Sequence, residues 1–208
     1  MIDKVACVVL VGGESRRMGE DKASVDLAGK ALVERVLDVV RPLFNHLYIG
    51  AHTDSKLGDA YGLPTVIDTL PGRGPALGVC AALERAEEER VFVISCDLPS
   101  LNARVVEYLI EQADGFDVVA ARIDGRVQTT CAIYSRACLA PLEERISTKE
   151  KGARSLNRFL EETEGLKVRY VDEQELKNIE GGIESFVDVD TPEELRVAKQ
   201  KILGEMNR

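Results

Sequence analysis

Residues 5–23, VACVVLVGGESRRMGEDKA, decide the fold. Val5 to Val11 are uniformly apolar and largely β-branched, with no alternation. That pattern predicts a central strand of a parallel sheet, covered on both faces. Directly behind it, residues 10–23 gather three glycines, two arginines and a lysine, in a chain whose formal net charge is -9. A solvated turn needs no such combination. A loop that wraps an anion does, because glycine lets backbone N–H groups approach without a Cβ in the way, and Arg and Lys add charge and donors. In an open parallel sheet such loops lie beyond the carboxyl ends of strands, where ligands bind if the winding direction reverses.

Working outward, helical and strand patterns alternate. Leu32, Val33, Val36, Leu37 and Val40 recur at helical spacing, and Pro42 closes that helix. HLYIGA (46–51) and PTVID (64–68) read as short strands. Pro75 suits the first turn of a helix running through ALGVCAALERAEEE, and VFVIS (91–95) is a second fully apolar strand. Asn102 is a candidate cap for a helix over 101–113, and Asp124-Gly125 marks a hairpin between DVVAAR and VQTTCAIYS. Helical stretches follow near 136–146 and 153–163, then a strand near 167–171. FVDVD (186–190) reads as a strand that would put Asp188 and Asp190 on one face. Thr191, Pro192 and Glu194 occupy the cap, first and third positions of a last helix. The expectation is one domain, residues 1–208, a three-layer α/β/α Rossmann-like fold with a mostly parallel sheet and one antiparallel insertion.

Composition narrows the setting. With 45% apolar and 30% charged residues the chain is ordinary for a globular protein. Its acidic balance speaks against nucleic acid or anionic membrane as partners. Five cysteines, none spaced C-x-x-C, read as reduced thiols acting as small hydrophobes, and a reducing cytoplasm is expected. The first apolar run, ending before Gly12, is too short for a signal sequence or a membrane span.

The loop is neither G-x-G-x-x-G nor G-x-x-x-x-G-K-[ST], since Glu20 follows Gly19. Ser15, Arg16, Arg17 and Lys22 are its donors, with Arg16 at a variable position; a surface salt bridge for Arg17 and a solvated lysine at 22 are the plain alternatives. Asp97 directly follows an apolar strand, where a carboxylate can hold Mg2+ over the strand ends; before Pro99 it could equally serve a turn.

Leu10 to Lys22, L-x-G-G-x-S-x-R-M-G-x-D-K, closely resembles the signature of the MobA-type molybdenum cofactor guanylyltransferases, nucleotidyltransferases with a nucleotide-diphospho-sugar transferase fold. DTLPGRGPALG (68–78), SCDLPSL (95–101) and FVDVDTPEEL (186–195) resemble that family's second, third and closing elements, in order along nearly the whole chain. The resemblance implies GMP transfer from GTP to the phosphate of molybdopterin, with pyrophosphate released and Mg2+ as cofactor. It implies Arg17, Lys22 and Asp97 as catalytic residues and Asp97 as metal ligand. The nucleotide would be met by Leu10, Val11, Gly12, Gly13, Ser15, Lys22, Asp68, Gly74 and Asp97. Asp68 is at a position tied to GTP, where a carboxylate can accept from N1–H and the 2-amino group of guanine. Gly74, Pro75 and Gly78 would shape the wall. A monomer is expected, with cofactor-insertion proteins or apo-molybdoenzymes as possible recipients.

Four features depart from the family pattern: Val11 in place of a small Ala, Gln128-Thr129-Thr130, and the carboxylates Asp188 and Asp190 in place of asparagines. Asp190 either shares Mg2+ with Asp97, pairs with an arginine, or serves the adjoining helix N-terminus. Arg154, in Gly152-Ala153-Arg154, is either an acceptor-phosphate contact or a solvated helix arginine. Cytidylyl transfer, transfer to another small phosphate, and a non-catalytic delivery scaffold are the competing functions.

Overall fold

A computed structural model describes residues 2–11, 22–51, 56–67, 74–148, 150 and 152–206. The opening run forms β1 (Val5–Leu10). A 3-10 turn at Lys22–Ser24 leads into a small hairpin of β2 (Asp26–Leu27) and β3 (Lys30–Ala31). Helix α1 (Leu32–Val40) follows, then β4 (Leu47–Ala51), α2 (Leu57–Tyr61) and β5 (Thr65–Ile67). The chain then crosses through α3 (Pro75–Arg85) to β6 (Arg90–Ser95) and α4 (Ala103–Glu111). The hairpin of β7 (Val118–Ile123) and β8 (Arg126–Ser135) precedes α5 (Leu139–Ser147) and α6 (Leu156–Glu162). β9 (Val168–Asp172), α7 (Glu173–Leu176) and α8 (Pro192–Met206) complete the order.

The main sheet has strand order β5-β4-β1-β6-β8-β7-β9. β5, β4, β1 and β6 are mutually parallel, β8 runs against β6 and β7, and β9 is parallel to β7. A single strand, β8, is therefore the antiparallel insertion. β1 shows why its sequence lacks alternation: Val5, Cys7, Val9 and Val11 enter the core under α1 and α4, while Ala6 and Val8 enter the core under α3, α5 and α6. Both faces of the strand are dry, and the three layers follow.

Local signals act as their chemistry requires. Asn102 accepts from the Arg104 N–H at 2.8 Å, Pro75 begins α3, and Asp124 and Gly125 both have positive φ in the β7–β8 turn. Thr191 Oγ1 accepts from the Glu194 N–H at 3.2 Å while Glu194 accepts from the Thr191 N–H at 2.8 Å, the expected capping box. One element differs. Residues 187–190 belong to no strand, and their backbone tie to the sheet edge is the Val189 N–H donating to the Asp97 carbonyl at 3.0 Å. The alternation there does not mark a dry face: Val189 is buried, but Val187, two residues earlier, is exposed.

The winding reverses at β1. After β1 the chain builds outward through β4 and β5, then returns to place β6 on the other side of β1. The carboxyl ends of β1 and β6 thus lie side by side, with the Cys96 N–H donating to the Leu10 carbonyl at 3.1 Å. This is the edge at which such sheets bind ligands.

Candidate functional site

Asp97 leaves β6 at this edge, and Lys22 reaches it from the 3-10 turn. Lys22 Nζ lies 2.7 Å from Asp97 Oδ2 and also donates to Asp190 Oδ1. The neighbouring backbone holds each partner in place. Ala23 is fully buried in the core under α1, which anchors the turn carrying Lys22. Val189 is buried with Val25, Leu27 and Leu32 in a small third core, against Leu195, Ala198 and Ile202 of α8. Its amide on the Asp97 carbonyl brings Asp190 beside Asp97.

Farther back, Ser185 is completely buried and accepts from the Asn102 N–H at 3.0 Å, while Asn102 Nδ2 donates to the Glu180 carbonyl at 2.6 Å. These bonds fasten the closing segment to the start of α4, and so to the loop that carries Asp97. Sequence reading passed over Ser185, because one serine between Glu184 and Phe186 gives no pattern.

Charge is concentrated here. Burial alone would lower the Lys22 ammonium, but the charges and hydrogen bonds of Asp97 and Asp190 outweigh it and leave its pKa above the ordinary lysine value. Reduced hydration, then the negative charges of Asp190 and Asp97, push the Asp188 carboxyl above the ordinary aspartate value. Two carboxylates converging on one cation form a hard-oxygen donor set of the kind Mg2+ takes alongside phosphate oxygens. Among the described residues Asp190 pairs with Lys22 and with no arginine, and Thr191, not Asp190, supplies the helix-capping side chain.

The residues expected to meet a nucleotide are partly described. Leu10 gives its carbonyl to Cys96, and Val11 gives its N–H to the Gly50 carbonyl at 2.9 Å, so both groups serve the sheet. The Leu10 side chain lies between two glycines: a Cβ on Gly50 or Gly78 would stand 2.8 Å from Leu10 Cδ2. Gly74 caps α3 at φ 138°, a conformation that favours glycine, and a Cβ there would be 3.3 Å from Arg154 Cβ. That contact brings the half-buried Arg154 to the entrance of α3 instead of leaving it on a solvated helix face. Gly12, Gly13, Ser15, Arg16, Arg17 and Asp68 lie outside the described residues.

β8 borders the same edge. It runs past the pairing with β6, which ends at Cys131 opposite Ile94, and its register with β7 shifts between Ala120 and Arg122. The buried Tyr134 hydroxyl donates to the Thr129 carbonyl at 2.7 Å and holds this irregular stretch. Gln128, Thr129 and Thr130 therefore sit on a bulge beside the strand end that leads to Asp97, a place where bulges commonly re-aim side chains.

A family model described as the MobA-like NTP transferase domain matches residues 7–166. A protein of Pelotomaculum thermopropionicum named "Probable molybdenum cofactor guanylyltransferase" is 30% identical over 201 residues, covering 97% of this chain and 94% of its own. The "Molybdenum cofactor guanylyltransferase" of Desulfosudis oleivorans is 32% identical over 205 residues, covering 97% of each chain. The crystal structure of molybdopterin-guanine dinucleotide biosynthesis protein A from Archaeoglobus fulgidus superposes with a TM-score of 0.83 at 27% identity, over 96% of this chain and 99% of that one. Among the described residues no helix is long and apolar enough to cross a membrane.

Proposed function

The chain belongs to the family of MobA-like NTP transferase domains, and from that premise we propose that it transfers GMP from GTP to the phosphate of molybdopterin. The observation that carries this reading is the meeting of Lys22, Asp97 and Asp190 where the winding of the sheet reverses. Nucleotidyl transfer brings two polyanions together, so its site needs carboxylates for a metal and a fixed positive donor for phosphate. An oxygen of the acceptor phosphate attacks the α-phosphorus in line. The bond from that phosphorus to the oxygen bridging to the β-phosphate breaks, and pyrophosphate leaves with the electron pair.

Asp97, with Asp190 beside it, would hold Mg2+, which when bound offsets the charge of the triphosphate. Lys22 donates to phosphate oxygens and stabilises charge passing to pyrophosphate, and Arg17 joins it from the loop after β1. Asp68 accepts from guanine, and the Leu10 side chain between Gly50 and Gly78 borders the nucleotide wall. The bulge at Gln128–Thr130 faces the acceptor. We place the reaction in the cytoplasm, a setting that five buried, reduced thiols support.

The test supplies molybdopterin with each labelled nucleoside triphosphate and follows pyrophosphate release. GTP should be the productive donor, and faster release with CTP would overturn the guanylyl assignment. Asp97→Asn should lower transfer by at least about a hundredfold while the protein stays folded, since metal stabilisation in such transfers is worth several kcal/mol. Near-normal turnover by the folded variant would remove Asp97 from the site.

A further inference from the structure

The two carboxylates most suited to a metal are already sharing a cation, and that cation belongs to the chain. Lys22 Nζ is 2.7 Å from Asp97 Oδ2 and bonded to Asp190 Oδ1, with the lysine side chain only 15% exposed. A divalent ion such as Mg2+ would approach the same oxygens to about 2.0–2.1 Å. An ammonium and a divalent ion on one carboxylate pair would repel each other strongly at such a separation. The pair can serve one or the other.

We infer that Lys22 is the resident counter-ion of the metal site, competing with the metal for Asp97 and Asp190 until a triphosphate draws the ammonium onto its phosphate oxygens. This rests on the reading of the site as a nucleotidyl-transfer centre and adds an order of events to it. The lysine moves between two sets of anionic oxygens, carboxylate and phosphate, without leaving the site. Asp190, at 45% side-chain exposure, is the open end of the pair, and Asp97, at 19%, the closed end. The consequence is strong coupling between the two ligands. Nucleotide raises metal affinity by the factor by which metal raises nucleotide affinity, because binding linkage is reciprocal. In the absence of nucleotide the carboxylate pair is occupied by the protein's own charge, so metal binds weakly.

Mn2+ binding, followed by the electron paramagnetic resonance signal of the free ion, tests this without turnover. Lys22→Gln keeps a donor but removes the charge, and should bind Mn2+ at least tenfold tighter than wild type when no nucleotide is present. The enhancement of Mn2+ binding by GTP should shrink in the same variant, and Lys22→Arg should stay weak. Should Lys22→Gln prove unfolded by circular dichroism, the wild-type protein still decides the matter. Mn2+ at concentrations that the resonance signal shows to be bound should raise the rate at which an amine-acylating reagent labels Lys22, read by peptide mass spectrometry. Unchanged Mn2+ affinity in folded Lys22→Gln, or unchanged labelling on metal binding, overturns the inference. Asp97→Asn separates the two levels: if it loses Mn2+ while Lys22→Gln gains none, the exchange fails and the metal site stands. If Asp97→Asn binds Mn2+ with GTP as well as wild type, both fall.

Discussion

Replacing Ser185 by alanine tests how the closing segment is held against the sheet edge that carries Asp97. Ser185 Oγ accepts from the Asn102 N–H at 3.0 Å and donates to the Gly181 carbonyl at 2.9 Å, in a position with no solvent exposure. Alanine removes both bonds, but the losses are unequal. The Gly181 carbonyl still receives the Ser185 backbone N–H at 3.1 Å, whereas the Asn102 N–H is left facing a methyl group. A donor orphaned in a buried setting costs about 1–3 kcal/mol, and the half-buried Asn102 faces the fully buried Ser185. For a domain of this size each kcal/mol lowers Tm by about 2–4 °C, so a middle value of about 2 kcal/mol means a fall of about 4–8 °C. Urea and thermal unfolding followed by circular dichroism give both figures. Activity at 25 °C, where the variant is folded, should fall several-fold with a higher metal requirement, because residues 180–186 lead directly to Val189 and Asp190. A stability change below about 0.5 kcal/mol would refute the reasoning, since the range expected of an unremarkable surface substitution is of that size.

Three other outcomes follow from the same geometry. Gly78→Ala should raise KM for the nucleotide and cost about 1–3 kcal/mol, because its Cβ would press to 2.8 Å on Leu10 Cδ2; unchanged KM and stability would show that Leu10 moves aside freely. Tyr134→Phe should cost about 1 kcal/mol and raise KM for the acceptor more than for GTP, as the Thr129 carbonyl loses its donor; equal effects on both substrates would detach the bulge from the acceptor. The buried thiols set an alkaline limit: burial pushes Cys7 and Cys131 well up and Cys138 up to about 12, so each favours folding fully below the unfolded thiol value near 8.5 and loses that contribution as pH rises toward its folded value. Urea unfolding at pH 8 and 10 should show a loss of about 2 kcal/mol per thiol, smaller in Cys138→Ala, and a flat profile would contradict it.

Much of the frame was legible because each of its signals is local. Val5–Val11 announced a strand dry on both faces, and Asn102, Pro75, Asp124-Gly125 and Thr191–Glu194 act within a few residues of themselves. The β2–β3 hairpin went unread since two-residue strands are too short for a period, and its turn uses Ala28 at φ 53° before Gly29. The four-residue α7 is equally short, and its capping box at Asp172 and Glu175 follows a strand with no break.

Lys22, Asp97 and Asp190 were all candidates from the sequence, which left Asp190 among three roles, and the difference lies in the sheet. Lys22 and Asp97 are 75 residues apart, yet both follow from the loop after β1 and the end of β6, and parallel strands must deliver their carboxyl ends to one edge. Asp190 is 168 residues from Lys22 and reaches it from a segment outside the sheet. The alternation of FVDVD therefore marked no single dry face, since Val187 is exposed while Val189 is buried, and nothing in it could say what the aspartates face. That is fixed by contacts of high sequence separation: Val189 on the Asp97 carbonyl, Ser185 on Asn102, and the small core joining α8 to the β2–β3 hairpin. An aspartate seen without those contacts could be a metal ligand, a cap or half of an ion pair. Seen with them, Asp190 is a carboxylate held against a lysine that Asp97 also holds, and any cation that binds there must first contend with Lys22.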